Sequence, residues 1–166
     1  AYEAAAKYVQ ELNQAQTSRI LIVNTHHPII DAILNQKYQA AVESQIEMQF
    51  HINDLSNIQL SARELVVLLS NLLDNSIEAC RRIETGRQIQ CTILEKNGFF
   101  LSIRNTSPPV LITEHGIATT KLSASEHGFG LPSVCRILAR LHAEYVYDYE
   151  DGWFQFTAEI PTKLEA

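Results

Sequence analysis

The chain has 166 residues, 46% of them hydrophobic, which is enough for one well-formed core, and no strong linker divides it. Its formal net charge of -6 and its scattered basic residues argue against a nucleic-acid-binding surface. The longest apolar run near the start, residues 20–23, is far shorter than the roughly 20 residues of a membrane span, so we expect a soluble, cytoplasmic piece that could come from a larger membrane-anchored protein.

The cysteines Cys80, Cys91 and Cys135 lie far apart, without the CxxC spacing of zinc sites. They read as buried thiols in a reducing compartment, so we expect neither disulfides nor bound zinc.

The first elements follow from local patterns. Residues 2–16 favour a weakly anchored helix, because large apolar side chains are few. Pro28 suits the first turn of a second helix that runs to about residue 44. From residue 45 the apolar period changes to two, which predicts a half-buried strand to residue 52.

The best-specified element is the helix that begins after Ser61. Ser61 and Glu64 have the spacing of a capping box, in which each side chain caps the other residue's backbone N–H. We expect this helix to run to residue 84 or 85 and to end at Gly86. Most of its surface is apolar, and one narrow polar stripe carries Glu64, Asn71, Asp74, Asn75, Glu78 and Arg82.

Two hairpins and a further helix complete the pattern. Apolar and polar residues alternate over residues 89–103 on both sides of Asn97-Gly98, a pair that favours a tight hairpin turn. The same pattern surrounds Asp151-Gly152 in the last two predicted strands. Residues 106–127 have no sustained period, which we interpret as a lid, and helical spacing resumes over residues 130–142. This order predicts an α+β protein, a two-layer sandwich whose sheet is mostly antiparallel and has about three helices on one face.

Two polar motifs point to a metal and phosphate site. Asn71 and Asn75 stand one turn apart, which places two amide oxygens on one helix face. Gly128 and Gly130, at the start of a helix, offer close backbone N–H groups to an anion. Taken alone, the asparagine pair could simply be solvated and the glycines could simply form a turn. The combination of the two motifs favours the site.

These residues support a resemblance to a known family. The segment from Asn71 to Ala79, Ile103-Arg104-Asn105, Thr119-Thr120-Lys121 and His127-Gly128-Phe129-Gly130-Leu131 together resemble the ATP-binding domain of sensor histidine kinases. That domain belongs to the GHKL superfamily of gyrase, chaperone, kinase and mismatch-repair ATPases and has the Bergerat fold. The similarity covers residues 28–161 and looks closest to the subgroup that senses quorum peptides.

The resemblance implies the cofactors ATP and Mg²⁺ and a set of binding residues. It implies Asn75 as the metal ligand, with Asn71 beside it. The implied nucleotide-binding residues are Asn71, Asn75, Asn105, Thr120, Lys121, His127, Gly128, Phe129, Gly130 and Leu131.

Three positions depart from patterns in the wider superfamily. Asn105 stands where many members have an aspartate that binds the adenine amino group. Glu78 stands where many histidine kinases have a lysine that reaches the phosphates, and a carboxylate there would repel the phosphates unless it meets metal-bound water or Arg82. Asn71 occupies the place of the general-base glutamate of hydrolytic members, so the resemblance implies slow hydrolysis and no catalytic residue is assigned.

The phosphoacceptor histidine of the family is not found in this sequence. His26-His27 precedes Pro28 without an acidic neighbour in the sequence, so we do not assign it. We therefore interpret residues 1–24 as the tail of a dimerisation helix with its linker, and residues 25–166 as the catalytic domain with a lid at 106–127.

The implied partners are a histidine-bearing dimerisation domain of the same kinase and, indirectly, a response regulator. The implied function is transfer of the ATP γ-phosphate to that histidine in two-component signalling. A serine kinase of the anti-sigma type and a non-catalytic interaction module with a vestigial site remain the alternatives.

Overall fold

The structure is a computed structural model, and it describes residues 23–113, 116–117 and 130–162. The predicted helix at residues 2–16 lies outside these ranges. The described helices are α1 (Pro28–Glu43), α2 (Ala62–Arg81) and α3 (Gly130–Arg140). The described strands are β1 (Glu47–Ile52), β2 (Gln88–Glu95), β3 (Gly98–Thr106), β4 (Ile112–Thr113), β5 (Gly116–Ile117), β6 (Glu144–Glu150) and β7 (Trp153–Pro161).

Five of the strands form one sheet in the order β1-β2-β3-β7-β6. β1 and β2 pair in parallel, and the other neighbours pair antiparallel. Both predicted hairpins are present, and Asn97, Asp151 and Gly152 adopt the positive φ angles that their tight turns require. The predicted mixed, mostly antiparallel sheet is therefore confirmed.

The core lies between one face of this sheet and the helices. On β3, Phe99, Leu101 and Ile103 are buried in alternation with half-buried residues, as a strand covered on one face requires. The helices contribute further buried side chains, including Leu34 of α1, Leu69 of α2 and Leu138 of α3. The chain is thus an α+β protein of two layers, as predicted, with the Bergerat arrangement of a five-stranded sheet and three described helices.

The predicted capping box at the start of α2 is present. The Glu64 backbone N–H donates to Ser61 Oγ over 3.2 Å, and the Ser61 N–H donates to Glu64 Oε2 over 2.8 Å. The end of α2 differs from the prediction, because the helix stops at Arg81 and not at residues 84–85. Beyond it, the Ile83 N–H bonds the Cys80 carbonyl in a tighter turn, and Arg87 Nε donates to the Ile83 carbonyl over 2.8 Å. Arg87 Nη2 also lies 3.5 Å from the Arg81 carbonyl, which the N–H of residue 85 would bond in a helix that continued.

Three observations fix the direction of α2 and α3 in the molecule. Cys80, near the end of α2, places its Sγ 3.4 Å from the Thr106 carbonyl at the end of β3. Gly130, the first residue of α3, lies against Asn71 in the middle of α2. The end of α3 shares a cavity wall with Leu60, just before α2 begins, so the two helices run antiparallel.

The predicted lid contains more local structure than its sequence indicated. β4 and β5 form a two-stranded antiparallel ladder within residues 112–117, where the sequence analysis found no sustained pattern. Two-residue strands are too short to establish a period. The rest of the predicted lid, residues 114–115 and 118–127, lies outside the described residues.

Candidate functional site

The polar stripe of α2 divides between two flanks of the helix. At about 100° per residue, Asn71 and Asn75 point toward one flank, and Asp74 points about 60° to 100° away from them. The flank of Asn71 faces α3, since a Cβ built on Gly130 would lie 3.5 Å from Asn71 Oδ1. We call this side of α2 the α3-facing flank, and the side of Asp74 the α1-facing flank.

The two flanks differ in how their polar groups are satisfied. On the α1-facing flank, Asp74 Oδ1 lies 2.7 Å from Lys37 Nζ of α1, and Arg81 Nε donates to Ser44 Oγ over 2.8 Å. On the α3-facing flank, Asn71 and Asn75 are both half-buried. Within the described ranges, no hydrogen bond joins either of these side-chain amides to the protein. Two side-chain amides on this flank of α2 thus have no described protein partner, and that of Asn71 lies against the start of α3.

Asn105 lies at the end of β3 toward which the later part of α2 runs. It is 1% exposed, and its register partners on the neighbouring strands are Ile89 and Phe154. Its Nδ2 donates to the Thr106 carbonyl over 3.1 Å. This bond occupies one amide hydrogen and fixes the orientation of a buried polar side chain on the helix-covered face.

Glu78 meets Arg82, which was one of the outcomes that the sequence left open. Arg82 Nη2 lies 3.2 Å from Glu78 Oε1, and the Arg82 side chain is 50% exposed. Both residues follow Asn75 on the α3-facing flank, at spacings of three and seven residues. The carboxylate that replaces the expected lysine therefore has a cation beside it.

The start of α3 supplies backbone donors to the same place. Gly130 is the first residue of the helix, and no acidic residue stands in the first turn. Gly130 lies close to the Asn71 side chain, so the free backbone N–H groups and the positive end of the helix dipole lie near that side chain. Leu131 is half-buried and packs against the core. The other predicted site residues of this region, Thr120, Lys121, His127, Gly128 and Phe129, lie outside the described residues.

One acidic partner escaped sequence reasoning. His26 Nδ1 lies 2.7 Å from Asp54 Oδ2, although the two residues are 28 positions apart. Hydrogen bonds from the Ser56 side chain and backbone, and then the His26 bond, lower the pKa of Asp54 to about 2. Asp54 follows the end of β1, so this exposed pair lies near that end of the sheet. Because β1 runs parallel to β2 and antiparallel to β3, Asn105 lies at the opposite end.

A cavity of about 270 Å³ also opens at the end of the sheet opposite Asn105. Phe99, Ile160 and Leu141 line it, with Glu95 and Arg140 at polar positions, and none of the predicted site residues contributes to it. The cavity is therefore distinct from the α3-facing flank that carries Asn71 and Asn75.

The described ranges lack both a cluster of metal-binding side chains and a membrane-spanning helix. They hold no group of three or more His, Cys, Asp or Glu side chains arranged to bind a metal ion. Among them there is also no helix with the length and apolar character needed to cross a membrane.

Comparison with known proteins agrees with this fold. The family model described as GHKL domain matches residues 60–161 of the chain. No curated protein matches it.

Solved structures of histidine kinases superpose on the chain. The nucleotide-free catalytic domain of histidine kinase ThkA does so with a TM-score of 0.65 and 22% identity, over 82% of this chain and 94% of that one. Mycobacterial sensor histidine kinase MprB gives a TM-score of 0.59 and 15% identity, over 81% and 93% of the two chains. Acinetobacter baumannii histidine kinase AdeS gives 0.62 and 16%, over 98% and 81%.

At these identities the superpositions show a shared fold, that of histidine kinase catalytic domains. The family match covers more than half of the sequence, including α2, the end of β3 and the start of α3. This chain therefore belongs to the GHKL domain family.

Proposed function

We propose that this domain binds Mg-ATP between α2, the end of β3 and the start of α3, and donates the γ-phosphate to a histidine of an adjoining dimerisation domain. The observation that carries the proposal is the α3-facing flank: Asn71 lies against the first residue of α3, Asn75 projects from the same flank one turn later, and neither side chain has a described protein partner. Polar side chains at a helix interface normally find hydrogen bonds within the protein. Amides held without them, beside a helix N-terminus, suit a ligand that combines a cation with an anion.

The donor set fits magnesium. Mg²⁺ prefers oxygen ligands, keeps several of its waters, and shares its remaining positions with substrate phosphates. Asn75 Oδ1 would be the protein ligand, with Asn71 beside it, and neither needs to lose a proton to bind. When bound, the ion would neutralise charge on the phosphate oxygens.

The start of α3 would receive the phosphates. A glycine at position 130 leaves open the space beside Asn71 that a larger side chain would fill, so phosphate oxygens can approach the backbone N–H groups of residues 130 and 131. By resemblance, Thr120, Lys121, His127, Gly128 and Phe129 would complete this part of the site. The predicted lid at residues 106–127 would then close over the nucleotide.

Asn105 would recognise adenine. Its Nδ2 already donates to the Thr106 carbonyl, which orients Oδ1 as the acceptor for the exocyclic amine of the base. Because the side chain is almost fully buried, a base without that amine would leave a buried acceptor unsatisfied, which is costly.

The same residues favour transfer over hydrolysis. A general base must lie within hydrogen-bond reach of the attacking water, and position 71 carries an amide, which does not take up a proton near neutral pH. ATP would then persist until an acceptor histidine arrives. The acceptor would lie on the dimerisation domain, whose tail we assign to residues 1–24, with the catalytic domain at 25–166.

The proposal extends to the signalling system in which the domain would act. The protein would be the cytoplasmic catalytic part of a sensor of quorum peptides, and a response regulator would receive the phosphoryl group from the histidine. This subgroup assignment rests on resemblance: residues 28–35 at the start of α1 resemble the first helix of the domain in that subgroup, and the amide at position 105 resembles its adenine-binding residue.

The direct test is calorimetric titration with ATP, with and without Mg²⁺, followed by incubation with the cognate dimerisation domain and labelled ATP. We expect binding that Mg²⁺ strengthens, no label on this domain alone, and an acid-labile label on the added domain. Absence of binding would contradict the proposal. Binding without any transfer to the cognate histidine would contradict the kinase activity and leave a nucleotide-binding module.

A further inference from the structure

Arg82 stands in line with the proposed metal site. It caps the C-terminus of α2, seven residues after Asn75 and eleven after Asn71. Seven residues bring a helix back to within about 20° of the same direction, so Arg82 and Asn75 project from the same flank. This flank faces the start of α3 and, under the proposed function, the bound nucleotide.

The guanidinium lies closer to Asn75 than the sequence spacing alone implies. Helical side chains lean toward the N-terminus of their helix, and Arg82 Nη2 lies 3.2 Å from Oε1 of Glu78, a residue one turn nearer to Asn75. Arg82 and Asn75 are separated by about 10 Å along the axis. A guanidinium that has reached back by one turn leaves roughly one turn, about 5 Å, between itself and the level of Asn75, a gap that phosphate groups can span.

The bond to Glu78 can be exchanged for a stronger one. Ion pairs between exposed side chains four residues apart are weak, because water screens them and the side chains lose freedom. Half of the Arg82 side chain is exposed. A guanidinium binds phosphate oxygens through two parallel charge-assisted hydrogen bonds, so a nucleotide phosphate is the better partner.

The neighbouring arginines, Arg81 and Arg87, form hydrogen bonds away from the α3-facing flank. Arg81 bonds Ser44 on the α1-facing flank, and Arg87 donates to the backbone carbonyls of Ile83 and Ser44. Of the arginines at the end of α2 and in the turn that follows, Arg82 therefore has the position to meet a ligand.

We propose that Arg82 binds the phosphate chain of the nucleotide and supplies the cation that position 78 lacks in this sequence. The inference rests on the proposed function, since it concerns the same site. In this arrangement Glu78 holds Arg82 in place on the flank before the nucleotide arrives, and Arg82 exchanges Glu78 for phosphate oxygens when it binds.

The test compares Arg82→Gln with Arg81→Gln, a matched control on the other flank. Each variant is titrated with Mg-ATP, Mg-ADP and adenosine, and its thermal unfolding is recorded. We expect Arg82→Gln to bind ATP and ADP about tenfold or more weakly, as loss of a charge-assisted bond implies, while adenosine binds as in the wild type. Arg81→Gln should match the wild type for all three ligands, and Arg82→Lys should recover part of the loss.

Three results would overturn the inference. Equal losses for ATP and adenosine in Arg82→Gln would show that Arg82 only supports the fold. Unchanged affinity for all ligands would show that it stays on Glu78. Equal losses in Arg81→Gln would show a general effect of charge. Failure of the wild type to bind ATP is a different result, because it would contradict the proposed function itself.

Discussion

The two flanks of α2 carry similar residues but use them differently. On the α1-facing flank, Asp74 and Arg81 are held by Lys37 and Ser44 of the α1 region. On the α3-facing flank, Asn71 lies against Gly130 and Asn75 projects from the same flank one turn later, and neither has a described hydrogen bond to the protein. One helix therefore combines a flank whose polar groups bond to α1 and its C-cap with a flank that carries two amides without described protein partners.

The difference between the two flanks follows from the free energy needed to bury each polar side chain. Removing a polar group from water without giving it a partner is unfavourable, so a polar group used for packing is paired within the protein. Half-buried amides without partners are tolerated when water can still reach them, and a ligand can later replace that water. Substitutions on the α3-facing flank should therefore change ligand binding, and those on the α1-facing flank should change stability.

The largest effect should come from Gly130, at the boundary of the α3-facing flank. Gly130→Val should abolish ATP binding, with a loss of at least about a hundredfold, because its branched side chain fills the space where phosphate meets the backbone. The fold should persist, since a Cβ there would meet Asn71 atoms at ordinary contact distances of 3.5 to 3.7 Å. Calorimetric titration measures the affinity, and circular dichroism measures the fold.

Gly130→Ala is the matched control for this substitution. Its single methyl group should lower the affinity much less than valine does. If Gly130→Val bound Mg-ATP as well as the wild type, the glycine would be only part of a turn, and the α3-facing flank would lose its phosphate site.

A smaller effect, on stability alone, should come from the α1-facing flank. Lys37→Met keeps the apolar stem of a side chain that is 14% exposed but removes the ion pair with Asp74. We expect the free energy of unfolding to fall by about 1 kcal/mol or less, because Asp74 remains accessible to water. The ratio of ATP to adenosine affinity should stay at the wild-type value. A selective loss of ATP affinity would contradict the separation of the two flanks.

The smallest effect should come from Asp54, far from both flanks. Its pKa in the folded protein is about 2, below the ordinary 3.8, so its ionised form stabilises the fold above pH 3.8, and this contribution is lost as the pH falls toward 2. Asp54→Asn should therefore be slightly less stable than the wild type near neutral pH, and the difference should narrow in acid. Chemical denaturation at several pH values measures this. A constant difference would contradict the role of the ionised carboxylate.

The sequence predicted those features that are determined by neighbouring residues. The capping box of Ser61 and Glu64, the turn at Asn97, and the alternation along β3 depend on contacts within a few positions, and all three are confirmed. The early end of α2 was missed because the tighter turn after Arg81 and the contact of Arg87 Nη2 with the Arg81 carbonyl have no signal in the apolar pattern of the helix.

Features of the site that depend on residues far apart in the chain were harder to predict from the sequence. The sequence grouped Asp74 with Asn71 and Asn75 in one polar stripe, because a single helix does not show which neighbours cover it. Only the packing of α1 and α3 separates these residues. The pairing of His26 with Asp54 likewise requires the fold, since no local pattern joins the two positions.

The central claim is that the α3-facing flank of α2 binds Mg-ATP. It is tested most directly by titrating Asn75→Ala and Asp74→Ala, which alter adjacent residues on opposite flanks, with ATP in the presence and absence of Mg²⁺. We predict that Asn75→Ala loses the strengthening of ATP binding by Mg²⁺ while Asp74→Ala retains it. Equal strengthening in both variants, or a loss confined to Asp74→Ala, would contradict the account.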